Sequence, residues 1–287
     1  MKKIGFIGVG VMGKSMVRNL MKHGYEVSIY TRTKSKVEDV IGEGAVWCDT
    51  VKECASGQDA VITIVGFPKD VEEVYFGADG IIENIPSGSY VIDMTTTSPK
   101  LAVRIYNEAK EKGVKALDAP VSGGDIGAQK GTLAIMVGGD KEDFDACMPL
   151  FEAMGTNIVY EGGCGCGQHT KMANQIALAG SLIGAAEAIA YARGVGLDVE
   201  TMLNTIGAGA AGSWQLVNNG PKMMVGDYKP GFFINHYIKD MKIAAEEADA
   251  ADVSLPVLNE VLDMFKKLED EGLGKEGTQA IIKSYEK

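Results

Sequence analysis

Apolar residues in the first half of the chain fall into short runs separated by stretches with helical spacing. Residues 4–7 form one run, Met16, Val17, Leu20 and Met21 follow at helical intervals, and 27–30 form a second run. Further runs at 60–65, 90–93, 115–119, 133–137 and 157–160 alternate with helical patterns at 36–41, 99–112 and 142–154. This rhythm predicts a doubly wound sheet with helices on its faces. From Thr170 onward the strand signals almost vanish. A helix over about 170–193 is apolar on nearly every face, which calls for enclosure on all sides, and more helices are expected at 199–206, 233–251 and 256–272. The fold class is therefore α/β: a Rossmann-type domain over 1–163, then an all-helical domain over 164–287 built on the long buried helix. A neighbouring subunit is a further source of cover for that helix, so a homodimer or homotetramer through the helical domain is expected.

Between the first run and the first helix lies Gly8-Val9-Gly10-Val11-Met12-Gly13, a GxGxxG with a strand before it and a helix after it. Gly8 permits the tight turn, Gly10 lets backbone approach a pyrophosphate, and Gly13 lets the helix pack against the strand. The phosphates would rest on the free N–H groups of the helix start, around Val11 and Met12. An NAD site places an acid at the end of the second strand to hold the ribose 2′-hydroxyl. Here that strand runs into Thr31-Arg32-Thr33-Lys34-Ser35-Lys36, rich in cations and hydroxyls, with no carboxylate before Glu38. Such a loop suits a 2′-phosphate, so NADP is expected over NAD, with Thr31, Arg32 and Thr33 as its contacts. Val65, Gly66, Thr95 and Thr96 follow later strands, where a doubly wound sheet keeps its ligand crevice.

Composition narrows the partners. The 287 residues carry a formal charge of −11, with no stretch that concentrates Lys and Arg along an aromatic face, so nucleic acid is not an expected partner. Met1-Lys2-Lys3 leads directly into the first strand, which points to a cytoplasmic protein. Glu187, Asn174 and Gln175 interrupt the apolar helix, which argues for a buried helix and against a membrane span. The five cysteines do not make a disulfide framework, and the Cys164/Cys166 pair lacks a second pair at ligand spacing. His23, His169 and His236 share no spacing with one another or with a serine and acid, so neither a metal site nor a triad follows. His169 and the Cys164/Cys166 pair remain unassigned.

Four segments resemble one family. Asp118-Ala119-Pro120-Val121-Ser122-Gly123-Gly124 is similar to the substrate-binding signature of the β-hydroxyacid dehydrogenases, and 165–174 to their catalytic GxGxxxKxxN stretch. The amino-terminal GxGxxG and the Lys239-Asp240 pair also match, so the resemblance spans nearly the whole chain. The Gly212-Ser213-Trp214 segment and the run at 230–240 look most like 3-hydroxyisobutyrate dehydrogenases. Tartronate semialdehyde reductases are close and share the Lys-x-Ala-Asn-Gln form, whereas many relatives carry a second asparagine in place of Gln175.

The resemblance implies an NAD(P)-dependent oxidoreductase interconverting a small 3-hydroxy acid and its semialdehyde. Lys171 would be the general acid/base, with Asn174 one turn beyond it binding substrate or fixing the lysine's direction. The residue types suit that chemistry. Oxidising an alcohol beside a carboxylate needs a base, a hydride acceptor and donors for the carboxylate. Partial burial and the helix start would both poise an ammonium toward base function. Backbone N–H groups around Ser122, Gly123 and Gly124 would cradle the substrate carboxylate. Lys239 would lie near the nicotinamide end, with Asp240 as ion-pair or orienting partner. Trp214 and Phe232 are placed near the substrate in loops over the crevice, plain core being the competing assignment. Gln175 is expected to be a neighbour of this face and not part of it. Tartronate or succinic semialdehyde reduction is an alternative within the family, and a non-catalytic NADP-binding protein is an alternative of another class.

Overall fold

A computed structural model describes residues 1–286. The chain divides into two compact units, 1–171 and the residues from Met172 onward. The expected domain boundary lay at 163/164; the division falls later because the first turns of the long helix pack on the first unit.

In the first unit the elements run β1 (Lys3–Ile7), α1 (Val11–Lys22), β2 (Glu26–Tyr30), α2 (Glu38–Gly42), β3 (Val46–Trp47), α3 (Val51–Ala55), β4 (Ala60–Thr63), α4 (Pro68–Phe76), α5 (Ile81–Asn84) and β5 (Tyr90–Asp93). There follow α6 (Pro99–Glu111), β6 (Lys115–Asp118), β7 (Val121–Ser122), α7 (Gly124–Lys130), β8 (Leu133–Gly139), α8 (Lys141–Glu152) and β9 (Gly155–Gly162). The strands form one sheet in the order β3-β2-β1-β4-β5-β6-β8-β7, with β9 paired to β8. Pairing is parallel from β3 to β6, whereas β8 runs antiparallel to both β6 and β7. The carboxyl ends of β1, β4, β5 and β6 therefore lie side by side, and the loops after them share one edge of the sheet.

The apolar runs are explained by burial on both faces. Alternate residues serve opposite layers: Ile4, Phe6, Ile62, Ile92 and Leu117 enter the core shared with α1, α7 and α8. Ile7, Val61, Val91 and Ala116 enter the core shared with α3, α4, α5 and α6.

The helix α9 (Cys166–Gly194) begins in the first unit and continues into the second, which adds α10 (Val199–Gly207), a π-turn (Gln215–Asn219), α11 (Gly220–Val225), α12 (Ile234–Ala250) and α13 (Pro256–Asp270). Ala179, Leu182, Ala186 and Ile189 of α9 are fully buried against residues such as Leu203, Tyr237, Met241 and Phe265. Enclosure on all sides is not what the second unit provides. Ala173, Ala177, Gly184 and Tyr191 lie exposed along another face of the helix. Small side chains make every face of this helix apolar without making every face a core face, so hydropathy alone could not separate them.

Candidate active site

Three glycines after β1 do three different things. Gly8 holds φ +101°, and a Cβ there would lie 2.1 Å from the Ile64 carbonyl oxygen. A Cβ on Gly13 would lie 2.2 Å from the Gly8 carbonyl oxygen, so only glycine lets α1 pack this closely on the turn. Gly10, by contrast, would meet nothing within 4 Å. Packing does not require glycine at position 10. The open side of this residue, at the amino end of a helix whose first turn holds no acid, fits the close approach of a dinucleotide pyrophosphate. Val11 is exposed and Met12 half-buried at that helix start.

Beyond β2 the loop 31–36 is mostly exposed, and the Arg32 side chain keeps 77% of its accessible surface. Its Nη1 lies 3.3 Å from Oδ1 of Asp70, a buried carboxylate at the start of α4 whose Oδ2 accepts the Phe67 N–H at 3.0 Å. Sequence spacing gave no hint of Asp70, because it comes from the other side of the β1–β4 junction. The Lys34 ammonium stands 5.3 Å from the Trp47 ring centre.

The loops after β4 and β5 are tied together, since the Val65 N–H donates to the Thr95 hydroxyl at 3.0 Å. Thr95 is itself buried, so its side chain braces these loops, while the Thr96 side chain is half-buried. Asp93 stands just before them. Its Oδ1 accepts the Thr63 hydroxyl at 2.8 Å and the Thr95 N–H at 3.0 Å, and burial pushes its carboxyl up to about 6.

The head of α9 meets the same edge of the sheet. Asp118, the last residue of β6, accepts the Gly165 N–H at 2.7 Å on Oδ1 and the Gln168 N–H at 2.8 Å on Oδ2. It serves as an N-cap supplied from 47 residues away. Burial raises this carboxyl while the backbone donors oppose the rise. Gly167 is obligatory, because a Cβ would lie 2.4 Å from the Met136 carbonyl oxygen and 2.7 Å from that of Asp118. With this cap α9 starts at Cys166, four residues before the sequence expectation. Lys171 consequently sits in the second turn, beyond the reach of the helix dipole that was expected to act on it. Its side chain lies in a residue only 7% exposed. The turn after β6 continues through Ser122 to Gly123 and Gly124, which hold φ +127° and +62°, backbone conformations that favour glycine, at the start of α7.

In the second unit Asn174 donates its amide to Gln175 Oε1 at 2.7 Å, and the buried Gln175 donates in turn to Oδ2 of Asp240. The other Asp240 oxygen lies 2.7 Å from the Lys239 ammonium, and the Tyr237 hydroxyl donates to the Gln175 carbonyl at 3.1 Å. Gln175, expected to lie beside the Lys171 face and not on it, is four residues beyond Lys171 and so shares that face, and its side chain links Asn174 to Asp240 of α12. Trp214 is 60% exposed at the head of the π-turn, so it is neither core nor loop. Phe232 precedes α12 and packs on Tyr237 with ring centres 5.4 Å apart. His169 is exposed, and Cys164 and Cys166 are half-buried free thiols.

A sheet in this order with a glycine turn at its centre defines a dinucleotide-binding fold. Residues 3–162 match the family described as the NAD binding domain of 6-phosphogluconate dehydrogenase, and 165–285 the family described as NAD-binding of NADP-dependent 3-hydroxyisobutyrate dehydrogenase. The chain is 56% identical to an uncharacterized oxidoreductase of Bacillus subtilis, covering 100% of this chain and 99% of that one. It is 35% identical to 2-hydroxy-3-oxopropionate reductase of Escherichia coli, over 99% of this chain and 97% of the relative. The crystal structure of 3-hydroxyisobutyrate dehydrogenase from Salmonella typhimurium is similar over 99% of this chain and 100% of its own, with a TM-score of 0.90 and 29% identity. The chain belongs to the β-hydroxyacid dehydrogenase family, and it is an NAD(P)-dependent hydroxyacid dehydrogenase.

Proposed function

We propose that this enzyme prefers NADP and interconverts a small 3-hydroxy acid of the 3-hydroxyisobutyrate type with its semialdehyde, using Lys171 as general acid/base. The observation that carries this reading is the burial of Lys171 one turn beyond a helix head capped by Asp118, the same residue that opens the segment ending in Ser122, Gly123 and Gly124. A bound nicotinamide supplies the hydride acceptor in oxidation and the donor in reduction. Lys171 takes the hydroxyl proton as the alcohol is oxidised and returns it to the oxygen in the reverse direction. The cradle at 122–124 holds the carboxylate, and Asn174 binds substrate or directs the lysine. On this reading Trp214 and Phe232 would contact the substrate, and Lys239 with Asp240 would serve the nicotinamide end. Reduction of tartronate or succinic semialdehyde would use the same groups with a different substituent on the carbon chain. Retention of both the lysine and the cradle argues against a non-catalytic dinucleotide binder.

The preference for NADP rests on the loop after β2, where Thr31, Arg32 and Thr33 are followed by further cations. The Arg32–Asp70 pair is a long, single contact on an exposed guanidinium, the kind worth about 0–1 kcal/mol, so a 2′-phosphate can recruit Arg32 away from it. Steady-state kinetics with NADP and NAD on 3-hydroxyisobutyrate, 4-hydroxybutyrate, glycerate and serine test the substrate and the cofactor together. Lys171→Ala is expected to lower kcat by about 10²–10⁴-fold with dinucleotide binding retained. Near-full turnover in that variant would end the Lys171 assignment.

A further inference from the structure

The Gln168 side chain joins the head of α9 to the loop after β5, and proton transfer by Lys171 does not by itself call for it. The residue is fully buried. Its backbone N–H donates to Asp118, its Oε1 accepts the Thr97 N–H at 3.0 Å, and its Nε2 donates to the Thr95 carbonyl at 2.7 Å. One side chain thus stitches the head of α9 to the loop after β5, over 71 and 73 residues of sequence, while its main chain is fixed to the end of β6. A primary amide carries an acceptor and a donor side by side on one planar end, so it can take the Thr97 N–H and give to the Thr95 C=O at once. Lys171 lies three residues further along the same helix face, and both residues are buried.

We infer that Gln168 is a positioning residue for proton transfer: with Asp118 it fixes the turn of α9 that bears Lys171 against the loop at 95–97. This rests on the reading of Lys171 as the acid/base. Asp118 already caps the helix start, so the two amide bonds are not needed for capping; they partner the buried Thr97 N–H and Thr95 carbonyl and thereby tie that loop to the helix. The added amide bonds set the rotation and advance of the helix relative to the β5 loop. A displacement of about 1 Å at a reacting group can lower turnover by about a hundredfold.

Two variants test this. Gln168→Leu keeps the approximate volume and removes both amide bonds; it is expected to lower kcat by about tenfold to a hundredfold while KM and dinucleotide affinity, read by nucleotide fluorescence, change by less than about threefold. Gln168→Glu keeps an acceptor for Thr97 but sets a carboxylate against the Thr95 carbonyl. Protonating it restores a donor, so the ratio of its kcat to that of the natural enzyme should rise as pH is lowered. A purely structural role would lower the thermal midpoint of either variant and leave kcat per folded enzyme unchanged. A Gln168→Leu enzyme within about twofold of natural kcat, or a Gln168→Glu ratio flat with pH, overturns the inference. Lys171→Ala separates the two levels of argument. If that variant keeps its turnover, the acid/base reading itself is wrong. If it loses turnover while Gln168→Leu does not, only the positioning role fails. In the Lys171→Ala background, Gln168→Leu should add no further loss.

Discussion

The turn after β1 and the head of α9 lie on the same edge of one sheet and are built by opposite means. The first works by leaving side chains out: two of its glycines are forced by backbone contacts near 2 Å, and the third faces open space. The second works by burying polar side chains, Asp93, Asp118 and Gln168, in bonds of 2.7–3.0 Å. A long, flexible, multiply charged ligand can be held by many backbone donors, so the binding end needs room more than rigidity. If Lys171 moves the proton as proposed, that transfer tolerates little positional error, which fits a clamped helix head.

The largest effect on stability is expected from filling the turn. Gly8→Ala should cost about 3 kcal/mol, from strain at positive φ and the clash with the Ile64 carbonyl, visible as a lowered midpoint in denaturant. A variant as stable as the natural chain would show that the turn relaxes easily, and the contrast with the clamp would lose its basis.

The clamp side is probed by pH. Burial raises Asp93 from its ordinary 3.8 to about 6, so the folded chain holds this proton more tightly than the unfolded one. Its contribution is greatest below about pH 4 and falls as pH rises to about 6, a loss of up to about 3 kcal/mol. Asp93→Asn removes that slope: between pH 4 and 6 its stability relative to the natural chain should rise, whatever constant offset the buried amide introduces. A difference independent of pH would mean that Asp93 titrates normally.

Arg32→Ala is expected to weaken NADP by about tenfold to a hundredfold and NAD much less, measured as dissociation constants. Equal losses for the two nucleotides would remove the 2′-phosphate contact. The smallest change in stability is expected at Gly10. Gly10→Ala should leave the denaturation midpoint within about 0.5 kcal/mol, because its Cβ meets no protein atom, yet weaken dinucleotide binding. Loss of both would place Gly10 with Gly8 as a packing glycine.

Much of this was legible from the chain alone. Long periodic elements such as α1, α6, α12 and α13 declared themselves, as did the strands buried on both faces. Elements that rest on few residues did not: β3 and β7 span two residues each, and the π-turn at 215–219 has no periodicity of its own. The motifs that carry the family resemblance were readable because each is contiguous. Partnerships across the fold were not, since nothing near Arg32 in sequence announces Asp70, and nothing near Gln168 announces Thr95. The length of Gln175 looked like a departure from the family pattern; its reach to Asp240 could be seen only once α9 and α12 lay together.

The cap that Asp118 lends to α9 means that the turn carrying Lys171 does not owe its order to its own sequence. A fragment starting at Gly163 would have the lysine, Asn174, Gln175 and the entire helical core, yet four N–H groups at its leading end would face water and fray. The Lys171 amine is therefore not portable. It belongs to the sheet that anchors it, and grafting the helix elsewhere would transplant the residue without its aim.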